Sequence, residues 1–255
     1  MSRINNAFKN QKTFIGFITG GDPGVDKSVE FILEMERAGA DIIEIGIPFS
    51  DPIAEGEVIQ AANIRALNSG TTVHKIFGLV RKVREKSEIP LVLLTYLNPV
   101  YHMGYQNFFE QCRSSGVDGI IIPDLPFEES REVGEVAEKY GVDLISLIAP
   151  TSKERIEMIS RESRGFLYVV SSMGVTGVRS EIETDIETIV REIRKTSDIP
   201  VAIGFGISTQ EQAAKFASVA DGVIVGSAIV RIIAEHGEDA GQYIYEYVRG
   251  IKAVL

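Results

Sequence analysis

The sequence contains few of the residues that build disulfides, metal centres or basic surfaces. Among its 255 residues there is one cysteine, there are three histidines, and there is no tryptophan. Cys112 alone cannot form an internal disulfide, and the histidines are scattered without metal-ligand spacing. Acidic residues outnumber basic ones, the formal net charge is −10, and no Lys/Arg-rich segment occurs. These absences argue against a structural metal and against nucleic acid as a partner.

Long apolar runs are absent as well. No run approaches the roughly 20 residues that cross a bilayer. The first residues, MSRINNAFKNQK, lack the apolar centre of a signal peptide. We therefore expect a cytoplasmic protein that makes no membrane contact. The length is nevertheless ample for a sizeable core, since hydrophobic residues make up 44% of the chain.

What the sequence does contain is a short apolar run, repeated eight times. Each run is rich in β-branched residues and nearly continuous, which is typical of strands covered on both faces. Helix-like stretches separate the runs. The motifs AGAD, SGVD and YGVD precede three of them, and the glycine in each is expected to end a helix. The runs span residues 14–19, 41–48, 91–97, 119–126, 143–150, 166–172, 201–208 and 222–229.

Eight strands alternating with helices predict a (β/α)8 TIM barrel, in the α/β class, with an extra N-terminal helix and a single domain over residues 1–255. A doubly wound open sheet is the alternative, but GGDPG after the first run lacks the GxGxxG spacing that would support it. Long segments follow strands 2 and 6. We expect loops at 49–60 and 172–185, either as lids over a site or as ordinary surface loops.

Glycines at the ends of the last strands predict a phosphate site. GFGIS follows strand 7, and GSAIVRII after strand 8 is typical of a strand running into a short helix, whose free N–H groups attract an anion. Gly177, in GVTG after strand 6, could complete the cradle. No lysine or arginine occurs in GFGIS or GSAI, so backbone amides are expected to do most of the binding. The alternative is that these glycines serve tight turns.

Carboxylates are the candidates for the chemistry. No lysine falls within the eight runs, so a Schiff-base mechanism lacks its nucleophile, and no metal cluster is evident. Glu44 lies inside an apolar run, and a buried carboxyl can both give and accept a proton near neutral pH. A structural hydrogen bond is the other interpretation. Asp51, Glu55 and Asp124 follow strand ends and are open to either a structural or a functional role.

These residues lie within motifs that resemble the tryptophan synthase α subunit family. The resemblance extends from about residue 3 to residue 250, and motifs of this length and order are highly specific. They are FITGGDP (17–23), EIGIPFSDPIAEG (44–56), GVDGIIIPDLPFEES (116–130), GVTG (174–177), GFGIS (204–208) and GSAIVRII (226–233).

The resemblance implies that the chain cleaves indole-3-glycerol phosphate, without a cofactor, to indole and glyceraldehyde 3-phosphate. It also implies a β-subunit partner that uses pyridoxal phosphate, in an α2β2 heterotetramer. Glu44 would be the acid/base that protonates the indole ring carbon and removes the hydroxyl proton. Tyr168, near Glu44, would be a further catalytic residue. The other implied site residues bind the substrate: Phe17 and Tyr96 around the indole pocket, Gly177, Gly206, Gly226 and Ser227 in the phosphate cradle, and Thr176 in the lid.

One departure from the family pattern affects the expected chemistry. The family reads S-D-P-x-A-D-G-P, where the second aspartate accepts the indole N–H and stabilises the indolenine tautomer. Glu55 stands at that position here, with a side chain one methylene longer, and Glu57 replaces the following proline. We still expect Glu55 to be catalytic.

Two other functions are compatible with the sequence. A catalytically weakened α-like subunit would mainly bind and activate the β subunit, as the changes at Glu55 and Glu57 suggest. A different phosphosugar isomerase or epimerase is disfavoured by the match at 44–56. By family analogy, the β-subunit interface is expected at 49–60 and 98–108, with Asp124 beneath.

Overall fold

The computed structural model describes residues 2–9, 11–149, 152–170, 179–204 and 206–255. Its strands are β1 Thr13–Thr19, β2 Ile42–Gly46, β3 Leu91–Leu94, β4 Gly119–Ile121, β5 Asp143–Ile148, β6 Leu167–Val170, β7 Val201–Gly204 and β8 Gly222–Val225. All neighbours pair in parallel, and β1 pairs with both β2 and β8. The sheet is therefore a closed barrel in chain order, which confirms the predicted (β/α)8 fold.

The helices that surround or cover this barrel are α1 Arg3–Ala7, α2 Val25–Arg37, α3 Glu57–Asn68, α4 Val73–Arg84, α5 Leu97–Met103, α6 Tyr105–Ser115, α7 Ser130–Lys139, α8 Lys153–Glu162, α9 Arg179–Arg194, α10 Gln210–Val219, α11 Ser227–His236 and α12 Gly241–Lys252. Short 3-10 helices occur at Phe127–Glu129 and Gly237–Asp239. No helix in the described ranges is long and apolar enough to cross a membrane.

The expected N-terminal helix is α1, and it closes the bottom of the barrel. The Ser2 hydroxyl caps it by accepting a hydrogen bond from the Asn5 N–H at 3.2 Å. Ile4 is fully buried and packs inside the barrel with Ile15, Val92 and other residues of the inner layer. Helix α1 therefore covers the amino-terminal ends of the strands in the described structure.

The two segments expected to be loops are shorter than predicted. Residue Glu57 begins α3, so the segment 49–60 is loop only as far as residue 56. A negative charge in the first turn stabilises a helix through its dipole, so Glu57 is a suitable residue to begin α3. The prediction of a loop at Glu57 did not consider this. Helix α9 begins at Arg179, inside the segment 172–185. The segment 171–178 lies outside the described residues.

Two aspartates at the amino ends of strands have a common structural role. Asp41 accepts a hydrogen bond from the Phe14 N–H at 2.7 Å. Asp118 likewise accepts from the Leu91 N–H at 2.9 Å. Asp41 and Asp118 are the last residues of the motifs AGAD and SGVD, whose glycines have positive φ. The motif therefore ends a helix and then binds an N–H group at the start of the neighbouring strand.

Candidate active site

The carboxyl ends of the strands surround a cavity of about 860 Å³. Its inner wall is formed by side chains from the strand ends, namely Phe17, Glu44, Leu94, Leu147, Tyr168 and Ile224, and the loop after β2 contributes Glu55. The wall is mostly apolar, with the two carboxyl groups and the Tyr168 hydroxyl among its polar groups. A cavity of this size and chemistry suits a small aromatic ligand.

Glu44 lies in the middle of β2, between Phe17 on β1 and Val92 on β3. Its side chain is only 2% exposed, and its Oε2 atom has no hydrogen-bond partner among the described residues. Burial, followed by the negative charge of Glu55, raises the pKa of Glu44 to about 8. Glu44 is therefore mainly protonated at neutral pH, as a group that first donates a proton and then accepts one must be.

Tyr168 lies on β6 and points into the barrel. Its ring and hydroxyl pack against the α-carbon of Gly204, where any larger residue would collide with them. Burial and the nearby charge of Glu44 raise the pKa of Tyr168 well above its usual range. The hydroxyl therefore stays neutral and can donate a hydrogen bond. Gly204, the first glycine of GFGIS, accommodates this tyrosine, a role that the phosphate-site interpretation did not foresee.

The Phe17 ring lies between two glycines at the ends of neighbouring strands. A Cβ atom added at Gly46 would lie 2.8 Å from the ring, and one added at Gly226 would lie 3.1 Å from it. The absence of a side chain at both glycines therefore leaves room for the Phe17 ring. Phe17 lines the cavity and offers an apolar surface to an aromatic ligand.

Glu55 reaches the cavity from the loop between β2 and α3. Its Oε2 accepts a hydrogen bond from Asn63 Nδ2 at 2.5 Å. The Ala54 N–H donates to the Tyr96 hydroxyl at 3.0 Å. Burial raises the pKa of Glu55, and hydrogen bonds from Asn63 and Tyr96 oppose that rise. Tyr96 itself is only 1% exposed, and its hydroxyl bonds both the loop backbone and the Glu55 side chain. It therefore holds the loop that carries Glu55, and its place at the indole pocket stays a prediction.

The phosphate end of the predicted site lies across the cavity. Gly206, Gly226 and Ser227 all line it, Gly206 has a φ of +77°, and α11 begins at Ser227. The free N–H groups of this first turn favour an anion. Thr176 and Gly177 lie outside the described residues.

Arg231 is a cavity-lining residue that the sequence analysis did not select. It follows Ser227 by four residues on α11, so the two side chains share a face of the helix. Side chains on a helix also lean toward its N-terminus, which directs the guanidinium toward the turn that begins at Ser227. No described residue forms an ion pair with Arg231. The spacing of four residues between Ser227 and Arg231 could have indicated from the sequence that Arg231 lies near the phosphate site.

The other acidic candidates have structural partners or lie elsewhere. Asp124 lines the cavity but accepts a hydrogen bond from the Leu97 N–H at 2.8 Å, at the start of α5. Asp51 is exposed, does not line the cavity and accepts from the Ser50 hydroxyl. No group of three or more metal-ligating side chains occurs among the residues described. The unpaired acid at the base of the cavity is therefore Glu44.

Comparison with known proteins places this site in a family. A family model described as "Tryptophan synthase alpha chain" matches residues 4–252. The tryptophan synthase alpha chain of Lactiplantibacillus plantarum is 49% identical over 256 residues, covering 100% of this chain and 97% of the relative. That of Caldanaerobacter subterraneus is 50% identical over 262 residues, covering 100% of both chains.

Solved structures agree with these relatives. The crystal structure of tryptophan synthase subunit alpha from Legionella pneumophila superposes with a TM-score of 0.91 at 36% identity, covering 100% of this chain and 98% of that one. A chain from the tryptophan synthase complex of Pyrococcus furiosus gives 0.87 at 36% identity, covering 95% and 99%. The chain therefore belongs to the tryptophan synthase alpha chain family.

Proposed function

We propose that this chain is the α subunit of a tryptophan synthase and cleaves indole-3-glycerol phosphate by a retro-aldol reaction. The products are indole and glyceraldehyde 3-phosphate, and the reaction is a carbon–carbon lyase step in tryptophan biosynthesis. The observation that carries the proposal is Glu44, a buried carboxyl that faces a large cavity without a described hydrogen-bond partner.

The substrate fits the cavity in one orientation. The indole ring lies against Phe17 and Leu94, close to the two glutamates, because this end of the cavity is apolar. The phosphate lies at Gly206, Gly226 and the first turn of α11, where backbone N–H groups are free. We extend the cradle to Gly177 and the lid to Thr176 on the sequence resemblance alone.

The chemistry follows from the protonation states of the two glutamates. Protonated Glu44 gives its proton to the ring carbon that bears the glycerol chain, which places positive charge on the indole nitrogen. Glu55 accepts the N–H hydrogen bond and stabilises that charge. Glu44, now ionised, removes the proton of the adjacent side-chain hydroxyl. The carbon–carbon bond breaks, its electron pair restores the aromatic ring, and the hydroxyl carbon becomes the aldehyde.

Tyr168 contributes a neutral hydroxyl next to Glu44. Because its pKa lies well above the usual range, the hydroxyl keeps its proton at every pH at which Glu44 works and is able to donate a hydrogen bond. We propose that this donor stabilises Glu44 while it is ionised. Such an interaction exists only between the two proton transfers, which is when stabilisation speeds the reaction.

The α reaction needs no cofactor in this proposal, and pyridoxal phosphate belongs to the β subunit. The related tryptophan synthase of Pyrococcus furiosus is an α2β2 complex, and we propose the same assembly here. Two large apolar side chains are exposed on the segments expected at the interface, Ile53 at 80% and Tyr101 at 72%. Such exposure is typical of a surface that a partner covers. We also propose a cytoplasmic location, because the substrate and one product are charged phosphate esters.

The alternative of a catalytically weakened subunit is not favoured. Glu55 does reach the cavity, and its carboxyl is held there by Asn63. The decisive experiment mixes the chain with a tryptophan synthase β subunit and supplies indole-3-glycerol phosphate without serine. We expect indole and glyceraldehyde 3-phosphate in equal amounts. Indole that stays at the background of the β subunit alone would show that the chain does not catalyse this reaction.

A further inference from the structure

Asn63 is a buried polar residue outside the set of predicted site residues. It lies on α3 and is 3% exposed. A buried amide is costly unless it is hydrogen-bonded, and its Nδ2 atom donates to Glu55 Oε2 at 2.5 Å. Helix α3 therefore holds the side chain of Glu55, a cavity residue that precedes Asn63 by eight positions.

The rest of the loop is fixed independently of this contact. Gln60 Nε2 donates to the Glu55 backbone carbonyl at 2.7 Å, and the Ala54 N–H donates to the Tyr96 hydroxyl at 3.0 Å. These bonds hold the backbone on both sides of the Glu55 side chain. The orientation of the carboxyl group is a separate matter, because three side-chain torsions lie between it and the backbone.

Helix α3 is itself a rigid platform. Arg65 Nε and Nη2 bind the two carboxyl oxygens of Asp22 at 2.9 and 2.7 Å. Asp22 is fully buried in the loop after β1, and a two-point contact of this kind fixes orientation as well as distance. Asn63 is therefore anchored to the barrel through its helix.

We propose that Asn63 is a positioning residue for the cleavage reaction, which orients the Glu55 carboxylate so that one of its remaining acceptor positions meets the indole N–H. The proposal rests on the proposed function. Asn63 binds Oε2 and the Tyr96 hydroxyl also bonds this carboxylate, but two carboxylate oxygens offer about four acceptor positions, so acceptor capacity remains for the substrate. The extra methylene of Glu55, relative to the family aspartate, is taken up by the reach to α3.

The same contact favours the ionised form of Glu55, because a donor stabilises a carboxylate. The titratable groups that face Glu55 in the described structure are Glu44 on β2 and Tyr96 after β3. Loss of the donor raises the pKa of Glu55. If activity requires ionised Glu55, the acid side of the pH–rate profile of the variant then lies at a higher pH than that of the wild type.

The first test replaces the donor and uses a matched control on the same helix. Asn63→Leu removes the hydrogen bond at similar volume, whereas Asn68→Leu makes the same change at an exposed position. Both are assayed for indole formation in complex with the β subunit. We expect Asn63→Leu to lower kcat by about 10- to 100-fold, with little change in KM. Its acid limb should move to higher pH, and Asn68→Leu should match the wild type in both respects.

The second test shortens the Glu55 side chain by one methylene and lengthens the Asn63 side chain by one methylene. Glu55→Asp withdraws the carboxylate from Asn63, so we expect kcat to fall. Asn63→Gln in the Glu55→Asp background lengthens the donor and should recover most of the loss. This recovery is the signature of positioning, since a purely structural amide has no reason to compensate for a shorter acid.

Three results would overturn the inference. They are an Asn63→Leu variant with wild-type kcat and pH profile, a Glu55→Asp variant as fast as the wild type, and a loss of melting temperature without any loss of kcat. Each leaves the proposed function intact, because the wild-type complex still makes indole. Background indole in the wild-type complex would instead reject the proposed function, and this inference with it.

Discussion

Two aspartates at the amino ends of the barrel strands and two glutamates at the carboxyl ends have opposite environments. At the amino ends of the strands, Asp41 and Asp118 each bind a strand N–H group and a cation, Lys252 at 2.5 Å and Arg84 at 2.6 Å. At the carboxyl ends, Glu44 and Glu55 form no ion pair with any described residue. Burial raises the pKa of both glutamates.

The difference shows how one class of residue serves two purposes in this fold. An aspartate whose oxygens bind a backbone N–H and a cation has little capacity left for a ligand, and it stabilises the barrel. A buried glutamate without such partners costs stability, and it is available to exchange protons. In a barrel of this type, catalytic residues lie at the carboxyl ends of the strands, and residues at the amino ends contribute to stability.

The largest expected effect concerns the carboxyl end. Glu44→Gln keeps the shape of the side chain but cannot carry the proton. We expect kcat for indole formation by the α–β complex to fall on the order of a thousandfold. The melting temperature should stay close to the wild-type value, because a neutral amide replaces a mainly neutral acid. Near wild-type indole formation would remove Glu44 from the mechanism.

The amino end should respond in the opposite way. Asp118→Ala leaves Arg84, whose side chain is 11% exposed, without its carboxylate. We expect the free energy of unfolding to fall by about 3 kcal/mol, measured in urea, while kcat of the folded complex changes little. Glu88→Ala is the control, because Glu88 is 77% exposed in its pair with Arg3 and should cost less than about 1 kcal/mol. Equal losses in the two variants would contradict the account.

A smaller effect is expected from the cations. Lys252 and Arg84 at the amino ends are paired, whereas Arg231 in the cavity has no ion-pair partner among the described residues. Arg231→Met keeps length but not charge. We expect KM for indole-3-glycerol phosphate to rise by about three- to tenfold, with little change in kcat. An unchanged KM, at low and moderate salt, would show that backbone amides bind the phosphate without Arg231.

Much of this comparison could be predicted from the sequence. The eight apolar runs predicted the barrel, and Glu44 stood out as an acid within one of them. Asn63 did not, because an amide on an amphipathic helix has the pattern of a solvated face. The first four residues of its helix, 57–60, were also expected to belong to a loop. The contact depends on α3 folding back toward the β2 loop, which no local pattern encodes.

The other departures have similar causes. Gly204 is close to a predicted phosphate glycine in sequence, but it accommodates the Tyr168 ring from the neighbouring strand. Tyr96 is expected at the indole pocket through the resemblance, and the structure adds a contact with the loop that carries Glu55, which the sequence did not predict. In each case the side chain's direction is set by packing between strands, which sequence spacing alone does not fix.

The central claim is that burial keeps Glu44 protonated at the pH where the enzyme works. The most direct test is a carbon-13 NMR titration of the side-chain carboxyls of glutamate-labelled protein, with the Glu44 signal assigned by its absence in Glu44→Gln. The account predicts a midpoint near the pKa of about 8 that burial and the charge of Glu55 give this group. A midpoint near the ordinary value of 4.5 would contradict it.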